Sequence, residues 1–528
     1  MTAALTGTAS LIRLALRRDR IRLPIWVVLL VVIPGVTPPS FAELFPTEAA
    51  RAAYAGGVTA NPALLALQGP MYGTSLGALT AGRSLSLTAV LVALMSVLTV
   101  IRHTRAEEEA GRRELLGAGV VGRHAGLAAA LAVAVGAGLV IATGVAVLIA
   151  AAGLPVAGSV LMGLALAAVG IVFAAVAAVA AQLTEGARAA TGITLGVLGL
   201  AFLARAAGDG GSVEWLSWLS PLGWAARTQP FTGDRWWVLG LALGTAAVLA
   251  GLAFALSARR DLAAGVLPAR LGPAHGALGG PFGLAWRLHR ASLLGWTAAF
   301  AVAGAAFGGI AQGIGDVLDS SPEIVELLRQ LGGGDGIVDV FLAAEFGILG
   351  LLAAAYGIGA ALRLRSEETD GRAENVLATA VGRTRWTSSH LVVALFGPAL
   401  ALLTAGLAAG LVHGAALGDV DGQVPRLVVG AVAQLPAVWV LVGIALALFG
   451  VFPRAVVGAW AVLVVFLLFG QFGQLLSLPQ WLLDLSPFTH LPRTLGTEID
   501  TTPLVWMVVI TAALLAVGFI GIRRRDVG

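Results

Sequence analysis

Long apolar stretches that recur along nearly the whole chain constrain its fold more than any other feature of the sequence. They are rich in Ala, Val, Leu and Gly, and short polar segments separate them. A stretch of about 20 apolar residues can cross the hydrocarbon core of a bilayer as a helix. Charged residues make up 12% of the chain, roughly half the fraction typical of a soluble domain. The sequence therefore predicts an all-α polytopic membrane protein and excludes a soluble core.

Hydropathy and loop composition together predict twelve transmembrane helices in two sets of six. The first six are expected near residues 23–40, 83–102, 125–152, 156–183, 188–206 and 236–258. The second six are expected near residues 290–312, 342–362, 388–413, 427–452, 455–473 and 503–522. With both termini inside, the inner loops hold 25 arginines and 12 acidic residues, and the outer loops hold 8 and 17. This asymmetry predicts a multi-pass protein of the bacterial cytoplasmic membrane with both termini in the cytoplasm.

The chain contains neither lysine nor cysteine. A Walker A loop needs a lysine that reaches the nucleotide phosphates, so the chain cannot hold an ordinary ATPase site of that kind. The lack of cysteine excludes disulfides, thiolate metal sites and cysteine nucleophiles, and no other metal or catalytic site is predicted. The arginines are spread over loops that flank the predicted spans, which argues against nucleic-acid binding.

Residues in the first half of the chain recur in the second half at a nearly constant offset. The segment RAEEEAGRRELLGAGVVGR at 105–123 returns as RSEETDGRAENVLATAVGR at 365–383, and WLSWLSPL at 215–222 returns as WLLDLSPF at 481–488. Such self-similarity indicates a tandem duplication. Because each repeat has an even number of spans, the two halves should be pseudo-symmetric, with the same orientation in the membrane. The predicted division is a first six-span half at 1–265, a cytoplasmic linker at 266–283 and a second six-span half at 284–528.

The segment before the first span is expected to form an amphipathic helix. Arg13, Arg17 and Arg20 would share one helical face, and Leu11 and Leu14 another. Such a helix would lie along the inner leaflet. An ordinary positively charged flank of a membrane span explains the same arginines equally well.

The loop between the second and third spans of each half carries the most specific pattern in the chain. Repeated glutamates are followed by a spaced Gly-Arg at 107–112 and again at 367–372. On a short helix, Glu108 and Arg112 would stand one turn apart on one face and present charge to solvent or to a partner. A solvated loop whose charges only fix topology is the simpler alternative. Topology requires arginine but not repeated glutamates, so a partner-binding role is favoured.

This pattern continues with a glutamate, an apolar pair and a small-residue stretch that ends in Gly-Arg. It resembles the first cytoplasmic loop of type-2 permeases of the ATP-binding-cassette (ABC) superfamily. Two such units in one chain resemble the permeases identified as exporters of polyketide antibiotics, the tetronasin-transport type. The resemblance covers the whole chain in architecture and is sharpest in these loops and in the Ser-Pro segments. The stretches GVV at 119–121 and TAV at 379–381 differ from the Thr-Pro-Val common in that family.

In that family the loop forms a coupling helix that docks on a separate nucleotide-binding subunit. The resemblance therefore implies that two copies of an ABC ATPase bind this chain. Those partners would hold ATP and Mg²⁺, and the chain itself would need no cofactor. Its cargo would be a hydrophobic antibiotic or another drug-like amphiphile. The implied coupling residues are Glu107, Glu108, Gly111, Arg112, Glu114, Arg123, Glu367, Glu368, Gly371, Arg372, Glu374 and Arg383.

Two further sets of residues are candidates for the transport pathway. The Trp- and Ser-Pro-containing segments before the last span of each half are too apolar for free loops, so they are expected to lie at the outer membrane interface. In the resembling permeases this region caps the outer end of the pathway, and the resemblance implies the same role here. Aromatic anchoring at the interface explains their tryptophans at least as well. The outer-gate candidates are Trp215, Pro221, Trp481 and Pro487. The candidates to line an apolar pathway are Met95, Phe202, Tyr356, Trp460, Phe466 and Phe469, although such residues more often serve packing.

A proton-coupled secondary drug antiporter is the main alternative, because it would share the twelve spans and the two-fold pseudosymmetry. Such carriers usually hold an acid within the bilayer, whereas Glu185 and Glu345 lie near the ends of predicted spans. A membrane enzyme or lipid-handling scaffold is the second alternative. The sequence shows no His-Glu-x-x-His, acidic-pair or serine–histidine pattern to support it.

Overall fold

The protein is built from long apolar helices. A computed structural model describes residues 3–112, 119–211, 213–261, 264–266, 279–320, 337–472, 479–491 and 501–525. Within these residues, eleven helices are long and apolar enough to cross a membrane, and no strand is present. A helix satisfies its backbone hydrogen bonds internally, as the bilayer interior requires. The chain is therefore an all-α polytopic membrane protein, as its sequence predicts.

The chain divides into two compact units, unit 1 at Met1–Gly272 and unit 2 at Pro273–Gly528. Each unit has its own hydrophobic core. The division falls inside the predicted linker at 266–283. Residues 267–278 of that linker lie outside the described part of the chain.

Unit 1 begins with an amphipathic helix that packs against a long span. Its described helices are α1 (Thr8–Arg18), α2 (Arg22–Leu44), α3 (Glu48–Ala60), α4 (Pro62–Gln68), α5 (Leu76–His103), α6 (Arg105–Glu109), α7 (Ala125–Ala151), α8 (Val156–Leu183), α9 (Ala187–Gly210), α10 (Pro221–Arg227) and α11 (Trp237–Arg259). In α1, Ala15 is buried against Leu23 and Val133, whereas Arg13 and Arg17 are exposed. The helix predicted before the first span is thus present; Ala15 faces the protein, whereas Leu14 on the predicted apolar face is exposed.

The core of unit 1 lies where α5, α7 and α8 meet. Val92, Met95 and Phe173 are fully buried there. Helices α7 and α8 approach so closely that a methyl group added at Gly163 would collide with the carbonyl oxygen of Ala142. Small residues at such a contact let helices associate in a membrane by van der Waals packing.

Unit 2 contains five of the long apolar helices among its described residues. Its helices are α12 (Gly280–Ser320), α13 (Ile337–Ala361), α14 (Arg363–Thr369), α15 (Arg372–Leu377), α16 (Arg383–Leu417), α17 (Val420–Val432), α18 (Leu435–Val451), α19 (Gly458–Phe472), α20 (Gln480–Leu483) and α21 (Thr501–Arg524). Helices α17 and α18 together form one long span at Val420–Val451.

Among the residues that the structure describes there are eleven long spans, where the sequence predicts twelve. Each predicted span coincides with a long helix except the one at 455–473, which coincides with α19. The apolar part of α19, Gly458–Leu467, is shorter than the eleven long spans.

Candidate functional site

In each unit, the repeated charged loop begins with a short helix after the second long span, α6 in unit 1 and α14 in unit 2. A glycine with positive φ follows the end of that helix, Gly111 at 67° and Gly371 at 69°. Glycine adopts this left-handed conformation without strain, and it commonly ends helices. The turn places Arg112 beyond the helix that carries Glu108. The prediction that Glu108 and Arg112 share one helical face is therefore wrong.

The first glutamate of each loop binds the arginine that follows the glycine. Arg112 donates through Nε to Oε2 of Glu107 at 2.9 Å and through Nη2 to Oε1 at 3.2 Å. Arg372 makes the same two bonds to Glu367 at 2.9 and 3.1 Å. The hydrogen bonds that the guanidinium groups donate to these carboxylates raise the pKa of both arginines, which stay charged. The arginine side chains remain 51% and 44% exposed, so each loop presents an oriented guanidinium group. In unit 2, Arg372 also donates through Nη2 to Oδ2 of Asp370 at 2.6 Å.

The second glutamate of each loop is buried in an ion pair with the end of the last span of its unit. Glu108 accepts bonds from Arg260 at 2.9 and 3.0 Å and from Arg105 at 2.6 Å. Glu368 accepts a bond from Arg525 at 2.8 Å. The glutamate side chains are only 2% and 4% exposed. We call Glu108–Arg260 and Glu368–Arg525 the loop–helix ion pairs. The expectation that these glutamates present charge on the surface is therefore wrong.

The arginine that closes each repeated segment also binds the end of the last span. Arg123 donates to the carbonyl oxygens of Ser257 at 3.2 Å and Arg260 at 3.0 Å. Arg383 donates to the carbonyl oxygen of Arg525 at 2.6 Å. The final carbonyl groups of a helix lack partners within the helix, so a cation there satisfies them and complements the helix dipole. Both charged loops are thus fixed to a helix end by two independent contacts.

Further residues, which no sequence pattern predicted as coupling residues, extend this network in unit 1. Arg105 is fully buried and donates to the carbonyl oxygens of Thr184 and, at 2.9 Å, Ala264. Arg260 Nε donates to Oε1 of Gln182 at 2.7 Å. The loop therefore contacts the end of α8 as well as that of α11. The one available signal was that Arg259-Arg260-Asp261 recurs as Arg524-Arg525-Asp526.

Of the two remaining coupling candidates, one is exposed and the other lies outside the described residues. Glu374 is exposed on α15. Glu114 lies outside the described residues. Glu109, which the predictions left out, accepts a hydrogen bond at 2.9 Å from the backbone N–H of Ala187, the first residue of α9. A carboxylate at a helix N-terminus satisfies an unpaired N–H group and stabilises the helix dipole.

The candidate pathway residues lie in different environments. Met95 and Tyr356 are buried in the hydrophobic cores of units 1 and 2. Phe202 is half-buried, and the guanidinium of Arg205 lies 4.9 Å from the centre of its ring. Trp460 is exposed on α19, and the two remaining candidates on that helix, Phe466 and Phe469, are half-buried.

The outer-gate candidates lie in short helices, and serine side chains cap the two that begin with Pro221 and Pro487. Ser220 precedes Pro221 and accepts a bond from Leu222 N at 3.2 Å. Ser486 precedes Pro487 and accepts one from Phe488 N at 3.4 Å. Trp215 and Trp481 are both exposed.

A buried charge cluster holds together the end of unit 1 that lies opposite the charged loop, which is the outer end in the predicted topology. Arg205 on α9 donates to the carbonyl oxygen of Ala66 at 2.6 Å and to Ser86 at 3.1 Å. Asp209 accepts bonds from Ser217 at 2.6 Å and from Arg227 at 3.2 Å. We call this the outer charge cluster, and it joins α4, α5, α9 and α10. Hydropathy alone gave no signal for it.

Comparison with known proteins places the chain in a family. The multidrug efflux system permease protein Rv1217c of Mycobacterium tuberculosis (strain ATCC 25618 / H37Rv) is 47% identical over 527 residues, which cover 99% of this chain and 95% of that protein. The chain belongs to the Rv1217c permease family. The family description "Multidrug efflux system permease Rv1217c, C-terminal domain" matches residues 278–523. Similarity to Rv1217c therefore extends over both units, and the charged loop of unit 2 lies inside the matched domain.

Proposed function

We propose that this chain is the membrane-spanning permease subunit of an ABC exporter in the bacterial cytoplasmic membrane. It exports hydrophobic antibiotics or drug-like amphiphiles, and polyketide antibiotics of the tetronasin type are the narrower class that the loop resemblance indicates. Two copies of a separate ABC ATPase bind ATP and Mg²⁺ and drive the permease between inward- and outward-facing states. The multidrug efflux named for the Rv1217c relative supports this cargo class.

The observation that carries the proposal is the recurrence of one set of contacts in both charged loops. Arg112 and Arg372 are each held by two hydrogen bonds to a glutamate and are half exposed. An arginine oriented in this way loses little conformational entropy when it meets a partner. The two loops therefore offer matching contacts to two copies of one ATPase.

The loop–helix ion pairs supply a route for transmitting force. Glu108 connects the loop to Arg260 at the end of α11, and Glu368 connects it to Arg525 at the end of α21. Contiguous, buried hydrogen-bond networks can couple the motion of one element to another. A displacement of either loop by a bound ATPase would therefore move the last span of the same unit.

The proposal includes a definite membrane topology. Helix α19 completes the second set of six spans, so that twelve spans form two halves, at 1–265 and 284–528, that arose by tandem duplication. Both termini, both charged loops and the linker at 266–283 face the cytoplasm. The distribution of arginines supports this orientation.

Copurification with the ATPase tests the docking role of the two exposed arginines. Arg112→Gln with Arg372→Gln should lower recovery of the ATPase on the tagged permease by on the order of 10-fold, since two interfacial charges are lost. Arg235→Gln is the matched control, because Arg235 is exposed at the opposite end of α11. The control should recover the ATPase as the wild type does. Unchanged recovery and unchanged drug-stimulated ATP hydrolysis in the double variant would contradict the docking role.

A further inference from the structure

A large groove lies beside the amino-terminal helix of unit 1. Helix α1 ends at Arg18, the chain turns at Asp19, and α2 begins at Arg22. Both α1 and α2 pack against α7. We call residues 16–27, where α1 meets α2, the elbow. The groove between the elbow and α7 has a volume of about 550 Å³, and the proposed coupling contacts do not use it.

The walls of the groove suit a hydrocarbon chain. Leu16 and Val27 line it on the elbow, and Ala132, Gly136 and Val140 line it on α7. The three α7 residues are spaced four apart, so they form one stripe about 12 Å long. Val140 is exposed at the surface of a helix that is apolar enough to span the bilayer. In a membrane, the groove therefore opens onto lipid.

The elbow carries two arginines that no carboxylate of the described residues contacts, whereas Arg18 pairs with Glu107 at 2.6 Å. Asp19 is buried, and its carboxylate contacts Arg102 at 2.9 Å and His103 at 2.7 Å. It is therefore engaged away from the arginines that follow and precede it. Arg17 and Arg20 are exposed, and within the described residues no carboxylate pairs with either. Arg20 also lines the groove itself.

We propose that the groove binds an anionic phospholipid, with an acyl chain along α7 and the head group at Arg17 and Arg20. Guanidinium groups bind phosphate through charge-assisted hydrogen bonds, and basic residues beside a membrane span attract anionic lipids. The apolar stripe takes up the chain. A free anion would satisfy the arginines but leave the groove empty, and a zwitterionic lipid would fill the groove but gain little from the arginines.

Unit 2 provides an internal comparison for this site. Arg287 and Arg290 correspond to Arg17 and Arg20 in the sequence repeat, but they lie on the unbroken helix α12. His289 takes the position of Asp19, and its Nε2 lies 3.0 Å from Nδ1 of His390. Unit 2 thus has the two arginines without an elbow.

Bound lipid can be measured directly. The full-length protein is reconstituted into nanodiscs with equal amounts of phosphatidylglycerol and phosphatidylcholine and is then extracted with mild detergent. Mass spectrometry counts the lipids that remain bound. Arg17→Gln with Arg20→Gln should lower the ratio of retained phosphatidylglycerol to phosphatidylcholine by roughly 30-fold, because two arginines near the head groups are lost. Gly136→Leu should lower retention of both lipids, because no heavy atom lies within 4 Å of its Cβ position and the new side chain enters the groove.

Two matched variants control for charge and for bulk. Arg287→Gln with Arg290→Gln removes the equivalent charges of unit 2. Gly251→Leu on α11 also adds a side chain into open space. Both should retain lipids as the wild type does. The proposal is wrong if the Arg17 and Arg20 variant keeps the wild-type lipid ratio, if Gly136→Leu behaves like Gly251→Leu, or if the unit 2 arginine variant loses phosphatidylglycerol to the same extent.

Discussion

Adjacent glutamates in the charged loop of unit 1 are both buried, but their arginine partners differ in exposure, and this decides what each can contribute. Glu107 contacts Arg112, which is half exposed, so this pair can meet a partner. Glu108 contacts Arg105 and Arg260, both of which are buried or nearly so. A buried carboxylate is costly unless it is paired, so Glu108 serves the internal structure of the unit and not its surface.

Neutralising the buried glutamate should cost more stability in unit 1 than in unit 2. Glu108→Gln leaves the fully buried Arg105 without its carboxylate. Glu368→Gln leaves Arg525 and Arg365, whose side chains are 16% and 33% exposed and can be hydrated. We expect the free energy of unfolding to fall by about 3 kcal/mol for Glu108→Gln and about 1 kcal/mol for Glu368→Gln. Unfolding in mixed detergent micelles, followed by tryptophan fluorescence, measures both changes.

The control for this comparison is Glu374→Gln, because Glu374 is exposed in the same loop as Glu368. It should leave the free energy of unfolding unchanged. If Glu108→Gln and Glu368→Gln lower the free energy of unfolding equally, burial of the arginine partners does not determine how much stability is lost.

Recurrence in the sequence identifies the charged loops but not their contacts. The repeated glutamates and arginines predict that the loops matter. The partner of Glu108, however, lies 152 residues away at the end of α11. No local periodicity encodes a contact between residues so far apart in the sequence. Only the structure shows which loop residues are exposed and which are buried.

The outer charge cluster attaches short helices to the long spans of unit 1. Arg205 and Asp209 on α9 contact α4, α5 and the segment at 214–227. Helix α4 has no buried residue, so the hydrogen bonds from Arg205 carry much of its attachment. Helix α10 also buries Leu222, Trp224 and Ala225, and the contacts of Asp209 add to that packing. Removing a buried charge should therefore loosen this end of the unit.

Loss of Arg205 should expose the helix α10. The chain has no cysteine, so a single cysteine can be introduced at Ala225, which is buried in α10. Arg205→Ala leaves Asp209 with less compensation for its charge. The rate of labelling at Ala225→Cys should then rise on the order of 100-fold, because local opening becomes more frequent.

Arg235→Ala is the control, because Arg235 is exposed near the same end of unit 1. It should leave the labelling rate as in the wild type. Slow labelling that persists after Arg205→Ala would mean that apolar packing alone retains the outer segment.

Element boundaries could be predicted where apolar composition and helix length coincide. The spans predicted at 125–152 and 156–183 agree with α7 and α8 to within a residue. The span predicted from 290 begins ten residues earlier, at Gly280. Hydropathy detects only the apolar section of a helix, whereas backbone hydrogen bonds continue through polar residues such as Arg287 and His289.

For the whole molecule, the proposed topology predicts which residues are accessible from each side of the membrane. Val120 and Leu219 are 89% and 64% exposed, in the loops at opposite ends of unit 1. In the background without cysteine, Leu219→Cys should react with a membrane-impermeant maleimide in intact cells. Val120→Cys should react only after permeabilisation. Labelling of Val120→Cys in intact cells would place the charged loop outside and contradict the proposed orientation.

The overall class of the molecule could be predicted because the bilayer imposes a simple rule on composition. Apolar runs of sufficient length must be spans, and arginine asymmetry orients them. The groove at the elbow could not be predicted in this way, since it depends on the break between α1 and α2 at Asp19. The corresponding arginines of unit 2 lie on an unbroken helix.

The central claim is that a separate ATPase powers export through this chain. The most direct test reconstitutes the chain and its candidate ATPase in proteoliposomes and follows the movement of a fluorescent hydrophobic drug. We expect transport with ATP, and none with a non-hydrolysable analogue or without the ATPase. Transport by the chain alone, driven only by a proton gradient, would rule out an ATP-driven exporter and favour an antiporter.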